Sequence, residues 1–482
     1  MFNNNLLMGA ASAGGDSLVS VGNSALFSAV NQSLSRSQGS GSNTIWTFSS
    51  WIYKCESKNQ VFMNSGTGSA QGQLGWGAND KLYIYNGSTT VAITTQVFRD
   101  IGWYHIHLAY NTGQSGTNKV KLSVNGSQIS AFDTDNRSSA GAFTDMNQNT
   151  ETILIGNNAS TSDAINFEGY MSETVILDGT ASAVSNFGEY DSTGTFWTPL
   201  ASGSIKGLTF GTNGFYLDNT TNAQTDASGE GNNFTNNNTV TTTSLMSPTQ
   251  LPRLLWNPLS PLFVDGILSN GNTTLKSGIQ GVRGALSNTA FPTSGKWQVE
   301  MEADFSGSAD NLLSWGIVCS DSDESLNVYI GENDNAYGFY ARPDGNTYYN
   351  KTSSVFDLGA VARQSFKYQI CWDASAGNGT ADVYFGIDNT FFDNDGSTDG
   401  NPATGANPTI ENLDISKLIF YILVGGYFNT TLEINDEADW EYGIQSGYTQ
   451  LNLTNVAAET TRTKSNLEEY FDTTLYEGNG AG

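Results

Sequence analysis

Apolar and polar positions alternate along most of the chain in short runs, with the period of two that marks β-strands. Within 46–179 the runs WTFSSWIY, FRDIGWYHIHLAY, KVKLSVNGSQISAF, ETILIGNN and FEGYMSETVILDG each have strand length, and most end in a turn signal. In KVKLSVNG, Val120, Leu122 and Val124 fall on one face, and Asn125-Gly126 supplies the positive φ angles of a tight hairpin. A more apolar stretch at 18–30 reads as the opening strand of the same unit. YNGSTTVAITTQVFRDIGWYHIHLAY predicts two strands, a turn and an aromatic corner at Trp103-Tyr104, and SNFGEYDSTGTFWTP closes the unit near Leu200.

The pattern then loosens. Residues 201–255 hold few apolar side chains and many Asn and Thr, with Phe215, Tyr216 and Leu217 best placed to anchor them. The segment reads either as a floppy linker or as an ordered arm across the first unit. Alternation returns after 254–261. In SGKWQVEMEADF, Trp297, Val299, Met301, Ala303 and Phe305 share one face, while Gln298, Glu300, Glu302 and Asp304 share the other. The run 418–424 is apolar on both faces, as a central sandwich strand requires. The expected division is an arm at 1–17, a β-sandwich at 18–200, a connector at 201–253, a second sandwich at 254–452 and a polar tail at 453–482.

Composition supports this picture. The 482 residues allow about two to four domains with ample core. Charged residues are only 14% of the chain, yet the net charge is −27, which disfavours nucleic acid and anionic membranes as partners. Gly numbers 53 and Pro 9, and no long segment joins helical periodicity to helix-forming composition. Cys55, Cys319 and Cys371 are too few for a disulfide scaffold, and Cys319 and Cys371, in apolar strand contexts, read as buried free thiols. The start, MFNNNLLMGAAS, lacks the basic and apolar regions of a secretory signal, and no run has the ~20 apolar residues of a membrane-spanning helix.

The first set of strands resembles the laminin-G-like, concanavalin-A-like β-sandwich, a fold that usually binds and most often binds sugars. In the second unit, the order WNPL, LSNGN, SGKW-x-x-E, WGI and VYFGIDN resembles the SPRY β-sandwich. The resemblance thus implies an all-β chain of two antiparallel, jelly-roll-like sandwiches, concanavalin-A/LamG-like and then SPRY-like. Between them stand Gly214-Phe215-Tyr216-Leu217-Asp218 and Asp226-Ala227-Ser228-Gly229-Glu230-Gly231-Asn232-Asn233. The whole order resembles proteins of tailed, marine-type bacteriophages. Asp226 matches the aspartate that opens that family's DSSGNGN run, and Ala227 departs from the serine after it. NPATGANPTI at 401–410 resembles a loop of the phage-borne SPRY members, and YFDTTLYEGNG in the tail resembles the opening of a further module in longer relatives.

Candidate chemistry is sparse. His105 and His107 are the two histidines, and they point to one face of a strand; they read as a structural pair, without the further ligands of a metal site or the G-x-S-x-G elbow of a hydrolase. Glu300, Glu302 and Asp304 form an acidic strand face but lack the Glu-x-Asp-x-x-Glu spacing of sandwich glucanases, and they read as solvent-facing. The loop from Asp393 through Asn394, Asp395, Gly396, Ser397, Thr398 and Asp399 to Gly400 has the alternating oxygens that suit Ca²⁺ but no closing bidentate Glu. Asp163 stands alone as a rim acid. For sugars, the aromatic candidates are Trp76, Tyr83 and Tyr85 in the first unit and Tyr337, Tyr340, Tyr348 and Tyr349 in the second. The sequons Asn86-Gly87-Ser88 and Asn125-Gly126-Ser127 read as turn chemistry.

The sequence therefore predicts no catalytic, cofactor-binding or metal-ligating residue and a non-enzymatic role. The resemblance implies a virion structural protein, assembled in the host cytoplasm and carried on the particle as a tail fibre or appendage. Its expected partners are host cell-surface glycan and other virion proteins. A homo-oligomer is expected, with a trimer favoured for a fibre. The rivals are a capsid fibre or decoration protein without a host role, and a glycan-cleaving tailspike or secreted glucanase.

Overall fold

The computed structural model describes residues 21–68, 70–158, 165–191, 194, 196–250, 253–258, 267–276, 283–304, 312–319, 336–341, 346–349, 352–357, 366–416, 419–427, 431–453 and 455–456. Strands dominate them, and the chain folds as two antiparallel β-sandwiches. One described strand pair, Lys296–Asp304 with Thr449–Gln450, is parallel.

The first sandwich packs two eight-stranded sheets. The back sheet centres on Gly169–Asp178, which pairs with Ile45–Lys54 on one edge. Its other edge carries two strands end to end, Ser24–Phe27 at one end and Phe215–Leu217 at the other. The front sheet runs from Phe132–Asp135 through Thr89–Val97, Lys81–Asn86, Gly72–Trp76, Gln60–Ser65, Thr152–Ile155 and Ser33–Ser37 to Thr235–Asn237. Strand alternation turns Trp46, Phe48, Leu74, Trp76, Ile106 and Leu122 into one shared core. The Val120–Val124 strand ends in the predicted turn, with Asn125 at φ 47° and Gly126 at φ 77°. Trp103 and Tyr104 form no corner: they begin the Gly102–Asn111 strand and face opposite ways, Trp103 towards Trp51 and Tyr104 towards Trp76 and Phe98. The opening strand is Ser24–Phe27, shorter than the 18–30 stretch, of which 18–20 lie outside the described residues.

The Asn/Thr-rich segment after Leu200 is an ordered strap. Its three short strands, Phe215–Leu217, Thr235–Asn237 and Thr241–Thr243, add respectively to the back, front and back sheets. Phe215, Leu217, Ala223, Phe234 and Val240 enter the first core, so a few anchors bury what composition leaves scarce. Polar side chains order the rest. The Asp226 carboxylate accepts from the N–H groups of Tyr216 (2.9 Å), Ser228 (2.9 Å) and Asn232 (2.8 Å) and from Ser228 Oγ (2.8 Å). Arg36 donates to Asn213 O and Asn232 Oδ1 and lies over the Phe234 ring. Asp226→Ala strands these donors in a half-buried setting. It is expected to cost about 2 kcal/mol, or roughly 5 °C in melting temperature, with faster amide exchange in the two edge strands of the strap. Unchanged melting and exchange would show that the hub is ornamental.

The second sandwich pairs a five-stranded sheet with a nine-stranded one. Phe420–Tyr427 is central in the smaller sheet, the position its apolar run predicts; Leu418 and Phe305 lie outside the described residues. Trp297, Val299, Met301 and Ala303 enter its core together. The two sandwiches touch. Leu255 and Met246 pack with Trp51, Tyr53, Trp103 and Tyr170 on the back sheet's outer face. Tyr170 Oη donates to Gly271 O (3.3 Å), and Asn272 Nδ2 donates to Cys55 O (2.8 Å). Gly271 has φ 63°, and a Cβ there would lie 2.2 Å from Tyr170 Oη, so both conformation and space require glycine.

Candidate functional site

The two faces of the first sandwich differ. The back sheet's outer face is covered by the Gly188–Tyr190/Trp197–Pro199 hairpin, the short helix Ser202–Lys206 and the start of the second sandwich. Both histidines lie under this cover. Trp197 Nε1 donates to His105 Nδ1 (2.9 Å), so the ring proton sits on Nε2 and is donated to Ser49 Oγ (2.8 Å). This polarity is the reverse of a catalytic dyad, in which the imidazole accepts from the serine. His107 pairs through Nε2 with Ser182 O (3.1 Å). Burial holds His105 well below the usual histidine range and His107 down to about 4, so both are neutral spacers of a packed face.

The front sheet's outer face offers ligand chemistry. Its register sets Ser35 beside Leu154, Leu154 beside Asn64, Asn64 beside Gln73 and Gln73 beside Tyr85. Tyr83 and Tyr85 stack with centroids 4.4 Å apart and planes at 22°. Gly75 makes this possible, since a Cβ there would come within 2.7 Å of Tyr83 Oη. Gln73 Nε2 donates to Asn64 Oδ1 and Gln71 Oε1 (both 3.0 Å), and Asn64 Nδ2 donates to Gly66 O (2.8 Å). Both amide protons of Gln73 are therefore used and its carbonyl oxygen is left to accept. Tyr85 is half-buried, and no hydrogen bond from its hydroxyl occurs among the described residues. At one end Asn237 Nδ2 bridges Ser33 Oγ (3.2 Å) and Ser35 Oγ (2.9 Å). Lys81 and Asp133, at the other end, are paired with each other. Asn64, Ser33 and Tyr83 are buried, so the face presents the half-buried Gln73, Tyr85 and Ser35, an amide- and hydroxyl-bearing patch on a rigid aromatic pair, suited to an uncharged polyhydroxyl ligand.

The other candidates fall elsewhere. Trp76 is fully buried in the core, and Tyr83 is buried with its hydroxyl 3.4 Å from Gln60 O, so of the three first-unit candidates Tyr85 alone presents to solvent. Tyr337 packs on the second core near Phe420; the side chains of Tyr340, Tyr348 and Tyr349, and all of Asp163, lie outside the described residues. Glu300 is not solvent-facing. It is fully buried, accepting from Gln369 Nε2 (3.1 Å) and the Glu441 N–H (2.8 Å). Beside it Gln298 bonds Gly443 O and the Gln445 N–H, so the C-terminal stretch covers this acidic strand. Glu302 pairs with Lys367 (2.6 Å), whereas Asp304 is exposed. In the 393–400 loop, Asp393 and Asp395 turn their carboxylates onto the N–H groups of Asp395 and Ser397. Among the described residues no group of three or more His, Cys, Asp or Glu is placed to hold a metal, and no helix is long and apolar enough to cross a membrane. Cys319 and Cys371 are free and buried, as read from the sequence, and so is Cys55.

No family model and no curated protein sequence matches the chain. Solved structures resemble parts of it. A protein from Bacteroides ovatus, provisionally described as carbohydrate binding, is 20% identical over 48% of this chain, with TM-score 0.35; the match covers 61% of that protein, less than two thirds of its length. The SPRY domain of human HERC1 matches at 17% identity over 38% of this chain and 97% of its own, with TM-score 0.26. A heptameric SAP-like pentraxin of Limulus polyphemus matches at 13% identity over 34% of this chain and 80% of its own, also at 0.26. At scores of this size the fold rests on the strand pairing itself.

Proposed function

We propose that the chain is a non-enzymatic binding protein of a tailed-phage particle, an external appendage whose front sheet face takes a host cell-surface glycan. The observation that carries the binding half is the half-buried Gln73–Tyr85 pair, backed by the buried Asn64 and Tyr83, with the aromatic pair locked in place and a free amide acceptor beside it. The phage half is supported by the order of sandwich, Asp226-centred strap and second sandwich along the sequence. One shallow face of this kind binds weakly, and many copies on one particle raise the effective affinity. Purified chain is expected to adsorb to cells of the host bacterium, to be displaced by that bacterium's surface polysaccharide and to lower plaque counts. Adsorption that polysaccharide leaves untouched points instead to a protein partner. Failure to adsorb at all contradicts a host-binding role.

A further inference from the structure

Two stretches far apart in sequence lack any charged residue: 17–35 and 231–252. The fold brings these two together. Ser24–Phe27 pairs with Thr241–Thr243 at the edge of the back sheet, and Ser33–Ser37 pairs with Thr235–Asn237 at the edge of the front sheet. The loops between them are stitched by Gln32 Nε2 to Asn238 O and Thr239 O, and by Asn238 Nδ2 to Asn31 O. Among the described residues these paired segments therefore carry a single charge, Arg36, and two exposed apolar side chains, Val30 (63% exposed) and Leu245 (41%). Arg36 is spent on Asn213 O and Asn232 Oδ1.

Sheet edges on soluble proteins are normally guarded by charge, proline or cover, because unpaired N–H and C=O groups recruit other strands. The opposite edge of the front sheet follows that rule. Its strand Phe132–Asp135 carries Asp133 and Asp135, with Lys81 and Arg137 paired to them. Among the described residues this side has no such guard: Thr235, Thr241 and Thr242 are exposed and neutral. We propose that this side is an interface at which a second copy of the chain docks edge to edge. Charge selects that occupant. A surface of net charge −27 repels a like copy on the whole, and approach costs less where neither copy presents an acidic group. Main-chain pairing between strand edges and contact through Val30 and Leu245 then supply the attraction.

Sedimentation velocity and light scattering on the full chain test this. A mass that is a multiple of 51.6 kDa is expected, with association tightening as salt rises from about 50 to 500 mM and screens the surrounding repulsion. Val30→Glu with Thr242→Glu places like charges in the contact and is expected to return the protein to monomer at the same concentration. Because both side chains are exposed, melting should be unchanged. Gln128→Glu, on the opposite edge of the back sheet, should leave the mass as it was. A wild-type monomer at all concentrations, or an oligomer that survives the double substitution while Gln128→Glu disrupts it, overturns the proposal.

Discussion

Glu173→Gln is expected to remove most of the loss of stability that the wild-type chain shows as pH rises from about 4.5 to 8. Glu173 lies in the left-handed region (φ 51°) at the bulge of the Gly169–Asp178 strand, where the strands Ser24–Phe27 and Phe215–Leu217 meet end to end. Its carboxyl accepts from Tyr216 Oη under the cover of Ile205, Phe187 and Phe210. Burial pushes it up to about 8 against a smaller opposing pull from the Tyr216 bond; the Asp218 carboxylate adds to the rise and Lys206 opposes it more weakly still. A carboxyl with a raised folded-state value contributes fully below its unfolded value and loses that contribution as pH climbs through the folded one. The window is thus about 4.5 to 8, and the change is on the order of a few kcal/mol. The histidines act the other way and lower down. Their depressed values add stability above about 6.5 that is lost as pH falls toward about 4. Denaturant titrations across pH 4–9 read both limbs. A Gln variant that keeps the alkaline limb would place its origin elsewhere, with Glu56, pushed up to about 7 by burial, as the next candidate.

Lys54→Met is expected to destabilise the first sandwich by about 3–5 kcal/mol, roughly 10 °C in melting temperature. Lys54 is fully buried at the end of Ile45–Lys54, where its ammonium pairs with Asp80, donates to Phe98 O (2.6 Å) and faces the Trp76 ring. Asp80 also accepts from Ser57 Oγ, so one ion pair ties three loops to the sandwich end. Removing the lysine leaves the carboxylate buried with only Ser57 and a distant Arg99 (3.7 Å). Adding Asp80→Asn should recover part of the loss, because the stranded charge goes and asparagine tolerates the positive φ (59°) at that position. If the double variant is as unstable as the single, the loss lies in packing around the lysine stem, not in the stranded charge.

What could be read from sequence was what is local. The Asn125-Gly126 hairpin, the Trp297-to-Ala303 face and the opposition of Tyr83 and Tyr85 to Leu82 and Ile84 follow from a period of two within one strand. Trp76 was misassigned because its face depends on the register set by the 77–80 turn, which pairs it with Leu82 on the core side. Tyr83 was misread as exposed because Gly75, on the neighbouring strand, gives it room to lie flat. Glu300 alternates as expected, but its cover comes from the chain around Glu441, about 140 residues on. The strap resisted composition for a related reason. Its order comes from Asp226, Asp178 and Arg36 accepting or donating across the fold, and long-range polar bonds leave no periodic mark. The connector residues singled out in sequence, Phe215 to Leu217 and Asp226 to Asn233, nonetheless proved to be its anchors.

The account turns on the front sheet face as the glycan site. Binding of the wild-type chain to immobilised host polysaccharide should fall at least tenfold on Gln73→Ala with Tyr85→Ala, which removes one acceptor and the exposed half of the aromatic pair. The same loss should not follow from Tyr442→Ala, an exposed aromatic on the second sandwich. Equal binding by wild type and the front-face double variant, with both folded, would contradict the assignment.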